Sequence, residues 1–190
     1  WLDRTFPRRA DCVITPHRRL AGHLIVRGCD HTRVKIVPPM MDAALFEPCA
    51  VSKEMPPVLY AGNLDSYQNL GLLFGAMIRV QKTHPNARLL IATADRAEFP
   101  EAELIYTPGF DSLQRVLARD AVFAVPRVSW SGYPIKMLNA MAAGQAIVAC
   151  QSAAYPITHG HNGLIVPDND VGAFAEALSQ LLHDHKLRAE

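Results

Sequence analysis

Residues 129–150, SWSGYPIKMLNAMAAGQAIVAC, set a small-residue turn directly before a helical period and an apolar run of strand length. Gly132 and Pro134 open the segment, Ile135, Leu138 and Met141–Ala142 share one helical face, Gly144 stops the helix, and Ala146–Cys150 reads as a strand. A turn feeding a helix N-terminus leaves several backbone N–H groups without intrahelical partners. Together with the helix dipole they attract anions, phosphates above all. The chemistry on offer is a nucleotide or phosphate pocket. Lys136, in the first turn after Pro134, can meet a phosphate as a point charge; the plainer alternative is a lysine pointing to solvent. Tyr133 is placed either to stack on a sugar or base or to cap a core. Arg127, at a strand end, is placed to neutralise phosphate or to sit on a rim, and Trp130 to line the cleft.

Such a turn needs a scaffold, and the rest of the chain supplies its pattern. Short aliphatic runs at Cys12–Thr15, Val34–Val37, Val58–Ala61, Arg88–Ala92, Leu104–Tyr106, Ala121–Val125, Ala146–Cys150 and Leu164–Val166 alternate with helical periods. These periods are Pro16–Gly28, Asn69–Lys82, Ser112–Arg119, Pro134–Ala143 and Val171–His183. Alternation of this kind predicts an α/β fold, a Rossmann-like doubly wound parallel sheet covered on both faces, with ligands at the carboxyl ends of its strands.

Composition narrows the classes. The 190 residues are 49% hydrophobic and 19% charged, enough for a true core, and the net charge of +1 argues against a nucleic-acid partner. No apolar run approaches the ~20 residues that span a bilayer. Trp1 stands where an initiator Met is expected, which reads as a piece of a longer chain. Cys12, Cys29, Cys49 and Cys150 lack paired spacing and read as small buried hydrophobes of a reducing compartment. The near pairs His159/His161 and His183/His185 have no flanking cysteine or carboxylate cluster, so no metal site is expected.

Five prolines within residues 38–57 mark a linker. We expect two parts: residues 1–48, the end of one domain and the start of the linker, and residues 49–190, a self-contained α/β domain. Residues 1–35 carry eight Arg or Lys against three acids, a surplus of +5 that leaves −4 for the remainder. On the first predicted helix Arg19, His23 and Arg27 stack opposite Leu20, Leu24 and Ile25. Such a face is either simply solvated or in peripheral contact with an anionic membrane.

SGYPIKMLNAMAAGQAIVA followed by HGHNGLIVPDNDVGAFAEALSQLL resembles the signature of group 1 (retaining, GT-B fold) glycosyltransferases. The resemblance covers nearly the whole chain. ADCVITPHRRLAGHLIVRG and VKIVPPMMDAALFEP resemble the end of that family's first, acceptor-binding domain and its linker. VLYAGNLDSYQNLGLLFGAM resembles the opening strand, glycine loop and helix of its second, donor-binding domain. The resemblance implies a nucleotide-sugar donor as substrate with no further cofactor, transfer with retention, and no catalytic metal. It also implies a cytoplasmic role in glycan biosynthesis with an acceptor glycan or lipid-linked sugar, which the basic residues 1–35 would place at the inner membrane face. The departing diphosphate would be stabilised by backbone N–H groups and cations.

Carried over by position, the family's two glutamates fall on Ser131 and Asn139, and the glycine between them on Pro134. Asn139 still donates and accepts hydrogen bonds toward a ribose; Ser131 offers one hydroxyl to the sugar. In the glycine loop, Gly62–Asn63 hold the family's phosphate-facing positions, but Gln68 stands where a lysine is expected, leaving Lys136 to compensate. The implied donor site is thus Gly62, Asn63, Arg127, Ser131, Gly132, Tyr133, Pro134, Lys136 and Asn139. The segment 151–156 is expected to lie as a loop beside the donor sugar.

Two readings compete. In the first, residues 49–190 bind the donor, and the 190-residue chain alone transfers nothing because most of the acceptor domain is missing. In the second, the lost charges make a non-catalytic scaffold or regulatory partner, recognisable by Ser131, Lys136 and Asn139 failing to converge. A sugar-nucleotide epimerase on the same architecture ranks last, since the helix motif offers no acid–base carboxylate.

Overall fold

A computed structural model describes residues 2–46, 48–129 and 133–190. It divides into two compact units, residues 1–40 with 130–135, and residues 41–129 with 136–190, so the division falls inside the proline-rich stretch.

The first unit is a βαβ arrangement preceded by a helix. Helix α1 spans Leu2–Arg9, strand β1 Val13–Thr15, helix α2 Arg18–Val26 and strand β2 Val34–Ile36. β1 and β2 pair in parallel, Val13 opposite Val34. The helical period predicted from Pro16 starts later because His17 is extended (φ −156°) and caps α2, its Nδ1 accepting from the Leu20 amide at 3.2 Å. The predicted apolar face of α2 is incomplete: Ile25 is 39% exposed. Cys12 is exposed, contrary to the expectation for all four cysteines, while Cys29 and Cys150 are buried.

The second unit holds six parallel strands. They are β3 Val58–Ala61, β4 Leu89–Thr93, β5 Glu103–Tyr106, β6 Val122–Val125, β7 Ala146–Cys150 and β8 Leu164–Val166, in the order β5-β4-β3-β6-β7-β8. Helices α3 (Leu70–Thr83), α4 (Phe110–Leu117), α5 (Ile135–Ala142), α6 (Val171–His183) and α7 (His185–Ala189) follow the strands. Alternate strand residues feed two cores, as both faces of the sheet are covered. Val58, Tyr60, Ile91, Val122 and Val148 join the cluster that holds Met77, Phe174 and Leu178. Leu59, Ala61, Leu90, Phe123 and Ile147 join the one that holds Leu117, Met137 and Ala140.

The chain runs outward from β3 through β4 to β5, then returns to the other side of β3 as β6. β3 is therefore the switch point, where an open parallel sheet forms its ligand crevice. The ladders make that crevice visible. β3 pairs with β4 as far as Ala61–Ala92, but with β6 only as far as Leu59–Phe123. Loops leaving the carboxyl ends of β3 and β6 separate there.

Helix α5 ends as expected. Gly144 adopts φ +70°, its amide reaches Met141 O at 3.0 Å, and the Gln145 amide reaches Ala140 O at 2.9 Å. These paired bonds form a Schellman stop, which favours glycine because no Cβ opposes the left-handed turn. α6 starts on Asp170, whose carboxylate accepts from the Ala173 amide at 2.9 Å.

Candidate functional site at the switch point

The loop after β3 turns at Gly62, and the Gly62 amide is spent on Ala92 O at 2.8 Å. The value of this glycine is space. A Cβ on residue 62 would overlap Lys136 Nζ and come within 2.8 Å of the Tyr60 hydroxyl oxygen. Lys136, in the first turn of α5, reaches across and donates to Asn63 Oδ1 at 3.2 Å.

Asn63 is the hub of the loop. Its Oδ1 also accepts from Gln68 Nε2, its Nδ2 donates to Asp65 and to the Tyr67 hydroxyl oxygen at 3.1 Å, and its backbone carbonyl accepts from Tyr60 Oη at 2.6 Å. Gln68, which stands where the family lysine was expected, is buried and serves this hub. The Leu64 amide donates to Asp95 Oδ2 at 3.0 Å, tying the loop to the end of β4.

Charges gather around this point. Arg127, just past β6, stacks with its guanidinium carbon 5.2 Å from the Tyr67 ring centre and donates to Ser129 O at 2.9 Å. Burial and the nearby Arg127 hold the Lys136 ammonium below the ordinary lysine value, against the opposing pull of Asp65 and Asp95. Two cations drawn together in this way, one of them partly desolvated, are poised for an anion. Burial, followed by Tyr67, Asp65 and Asp95, pushes the Tyr60 hydroxyl upward, so it remains a protonated donor.

Beside Lys136 opens a cavity of about 340 Å³. Gly62, Ala92, Asp95, Thr107, Phe110 and Lys136 are among its lining residues, so it runs from the ends of β3 and β4 to the start of α4. That volume lies at the lower end of small-molecule pockets. Phe110 is held edge-on by Phe46, their ring centres 5.7 Å apart.

Asn139 lies one helical turn beyond Lys136 on α5, on the same side at spacing i, i+3. It is 5% exposed, and its Oδ1 has no hydrogen-bond partner among the described residues. A buried carbonyl without a donor is rare enough to need a reason. Tyr133 and Pro134 belong to the first unit, where the Tyr133 ring stands 6.2 Å from His17. Trp130, Ser131 and Gly132 lie outside the described residues.

Sequence reasoning thus placed Gly62, Asn63, Arg127 and Lys136 in one neighbourhood, and the structure brings these four together. It missed Tyr60, Asp65, Tyr67 and Asp95. Asp95 carried a usable signal, since it follows a strand at the carboxyl edge of a parallel sheet. Among the described residues no group of three or more His, Cys, Asp or Glu is placed to hold a metal ion. None of the described helices is long and apolar enough to cross a membrane.

A switch-point cleft on a 3-2-1-4-5-6 parallel sheet defines a Rossmann-like domain. Residues 56–184 match the family described as glycosyl transferases group 1, and the chain belongs to that family. It is 29% identical over 160 residues to the phosphatidyl-myo-inositol mannosyltransferase of Mycolicibacterium smegmatis, covering 78% of this chain and 41% of that protein. The fold matches Anabaena HepE in complex with UDP (TM-score 0.80, 16% identity, 96% of this chain and 57% of that one). It matches sucrose-phosphate synthase from Thermosynechococcus elongatus equally well (TM-score 0.80, 20% identity, 99% and 53%). The chain spans less than half the length of the curated relatives it matches.

Proposed function

We propose that residues 49–190 bind a nucleotide-diphosphate sugar, and that a longer protein containing them transfers the sugar with retention to a glycan or lipid-linked acceptor. Residues 1–48 then belong to the acceptor side, and the 190-residue chain alone binds donor without transferring it. One observation carries this reading: the Lys136 ammonium is held over Gly62, close enough to Arg127 for their charges to interact, where the sheet opens. There the two cations neutralise charge that grows on the departing diphosphate. The nucleoside lies in the adjoining cavity, and Asn139, which the family resemblance gives to the ribose, stands one helical turn along α5 from Lys136. UDP bound to the similarly folded HepE supports the ligand class.

Calorimetric titration with UDP, GDP and ADP tests it. Saturable binding of one of them, weakened about 10- to 100-fold by Lys136→Ala, is expected for the loss of one charge-assisted contact. A folded chain that binds none of the three, or a substitution without effect, overturns the reading. One feature favours the alternative of a non-catalytic scaffold: Asp65 and Asp95 already sit near enough to oppose the local positive charge without any ligand. In that case no nucleotide binds.

A further inference from the structure

Asn63 is expected from the family resemblance to face the diphosphate. Its side chain has nothing left with which to do so. An asparagine amide offers two acceptor positions and two donor hydrogens. Gln68 Nε2 and Lys136 Nζ take the first pair; Asp65 and the Tyr67 hydroxyl take the second. The backbone carbonyl of Asn63 is held as well, by Tyr60 Oη at 2.6 Å.

We propose that Asn63 is a positioning residue: its side chain does not bond the donor and instead aims the Lys136 ammonium at the space above Gly62 where the diphosphate binds. Lys136 crosses from α5 to a loop that follows β3, so a fixed acceptor on that loop is what converts a mobile side chain into a directed charge. Gln68 orients the same oxygen from the far side, which explains why a neutral, buried side chain occupies the family's lysine position. This inference rests on the donor-site reading above.

A double-mutant cycle separates the two. UDP, GDP and ADP are titrated into the wild-type chain and into Asn63→Ala, Lys136→Ala and the double variant. Aiming predicts that Asn63→Ala costs about tenfold in affinity in the wild-type background and less than about twofold once Lys136 is absent, because residues acting through one another do not add. An equal loss in both backgrounds shows direct contact with the donor and overturns the proposal. A Lys136→Ala variant that binds as wild type overturns the donor-site reading itself, and this proposal with it.

A second readout serves should Asn63→Ala fold poorly. The titration midpoint of Lys136, followed by NMR of its ε-carbon, reports the acceptor directly. The other ionisable groups around it are Arg127, Asp65, Asp95, Tyr60 and Tyr67, and all of them stay in place. Asn63→Ala removes the acceptor and lowers the midpoint; Asn63→Asp retains an acceptor, adds charge and raises it. A midpoint that moves in neither variant overturns the aiming role.

Discussion

The Lys136 ammonium fills the space that any side chain on residue 62 would need, so Gly62 and Lys136 are one feature contributed by two distant segments. The nearest obstruction is the far end of a flexible side chain, followed by the Tyr60 hydroxyl. Gly62→Ala is therefore expected to fold, losing about 1 kcal/mol for its backbone conformation at φ +157°. It is nonetheless expected to bind nucleotide as poorly as Lys136→Ala, because the lysine is driven out. Thermal melting and titration of the two variants check this. Wild-type affinity in a folded Gly62→Ala chain would sink it.

Binding should also depend on pH in a direction set by Lys136. Its folded midpoint lies below the ordinary 10.5, and a bound diphosphate favours the charged form and raises it again. Affinity thus falls as pH rises through the lowered midpoint, and binding there takes up a proton. The free domain behaves oppositely. The folded state holds fewer protons than the unfolded one between that midpoint and 10.5, so its stability rises with pH across the same window. Titration in buffers of different ionisation enthalpy measures the uptake, which Lys136→Met should abolish.

Asn139 presents a buried carbonyl oxygen that none of the described residues satisfies. Replacing it with leucine removes an unpaired polar group of similar size. The folded chain should be at least as stable as wild type, since an unsatisfied buried group costs about 1–3 kcal/mol. The family resemblance gives Asn139 to the ribose, so nucleoside diphosphates should bind more weakly while inorganic pyrophosphate is unaffected. Equal losses for both ligands would assign Asn139 elsewhere.

His17 makes the first unit sensitive to acid. Its Nδ1 accepts the Leu20 amide and so must be unprotonated, and burial, with Arg19 nearby, holds its pKa below 6.5. A depressed histidine contributes stability that is present above 6.5 and lost as pH falls through the folded value. Hydrogen exchange in α2 should accelerate on acidification. His17→Asn, which caps without titrating in that range, should flatten the response.

Much of this was open to reading without coordinates. The eight strands were legible because buried parallel strands are short aliphatic runs between turns, and Val58–Ala61, Ala146–Cys150 and Leu164–Val166 stand where expected. Helix ends shifted where caps decide them: α4 begins at Phe110 because the Ser112 hydroxyl accepts from the Gly109 amide and donates to the Gly109 carbonyl. Helix α1, rich in arginine and interrupted by Pro7, carries no clean period and was not anticipated.

What the amino-acid sequence determined by itself was local. It set the alternation of strands and helices, the glycine stop at Gly144, and a set of cations and small residues at strand ends, because propensity and periodicity act over a few residues. The tertiary structure decided which of those residues meet. Lys136 lies 73 residues from Asn63 and was equally compatible with solvent. The placement of β6 beside β3 brings α5 to the glycine loop, and that of β4 on the other side of β3 brings Asp95 to it. Hydrogen-bond saturation of Asn63 is likewise invisible in sequence, since it depends on four partners converging in space. That convergence turns an expected ligand contact into a support for one.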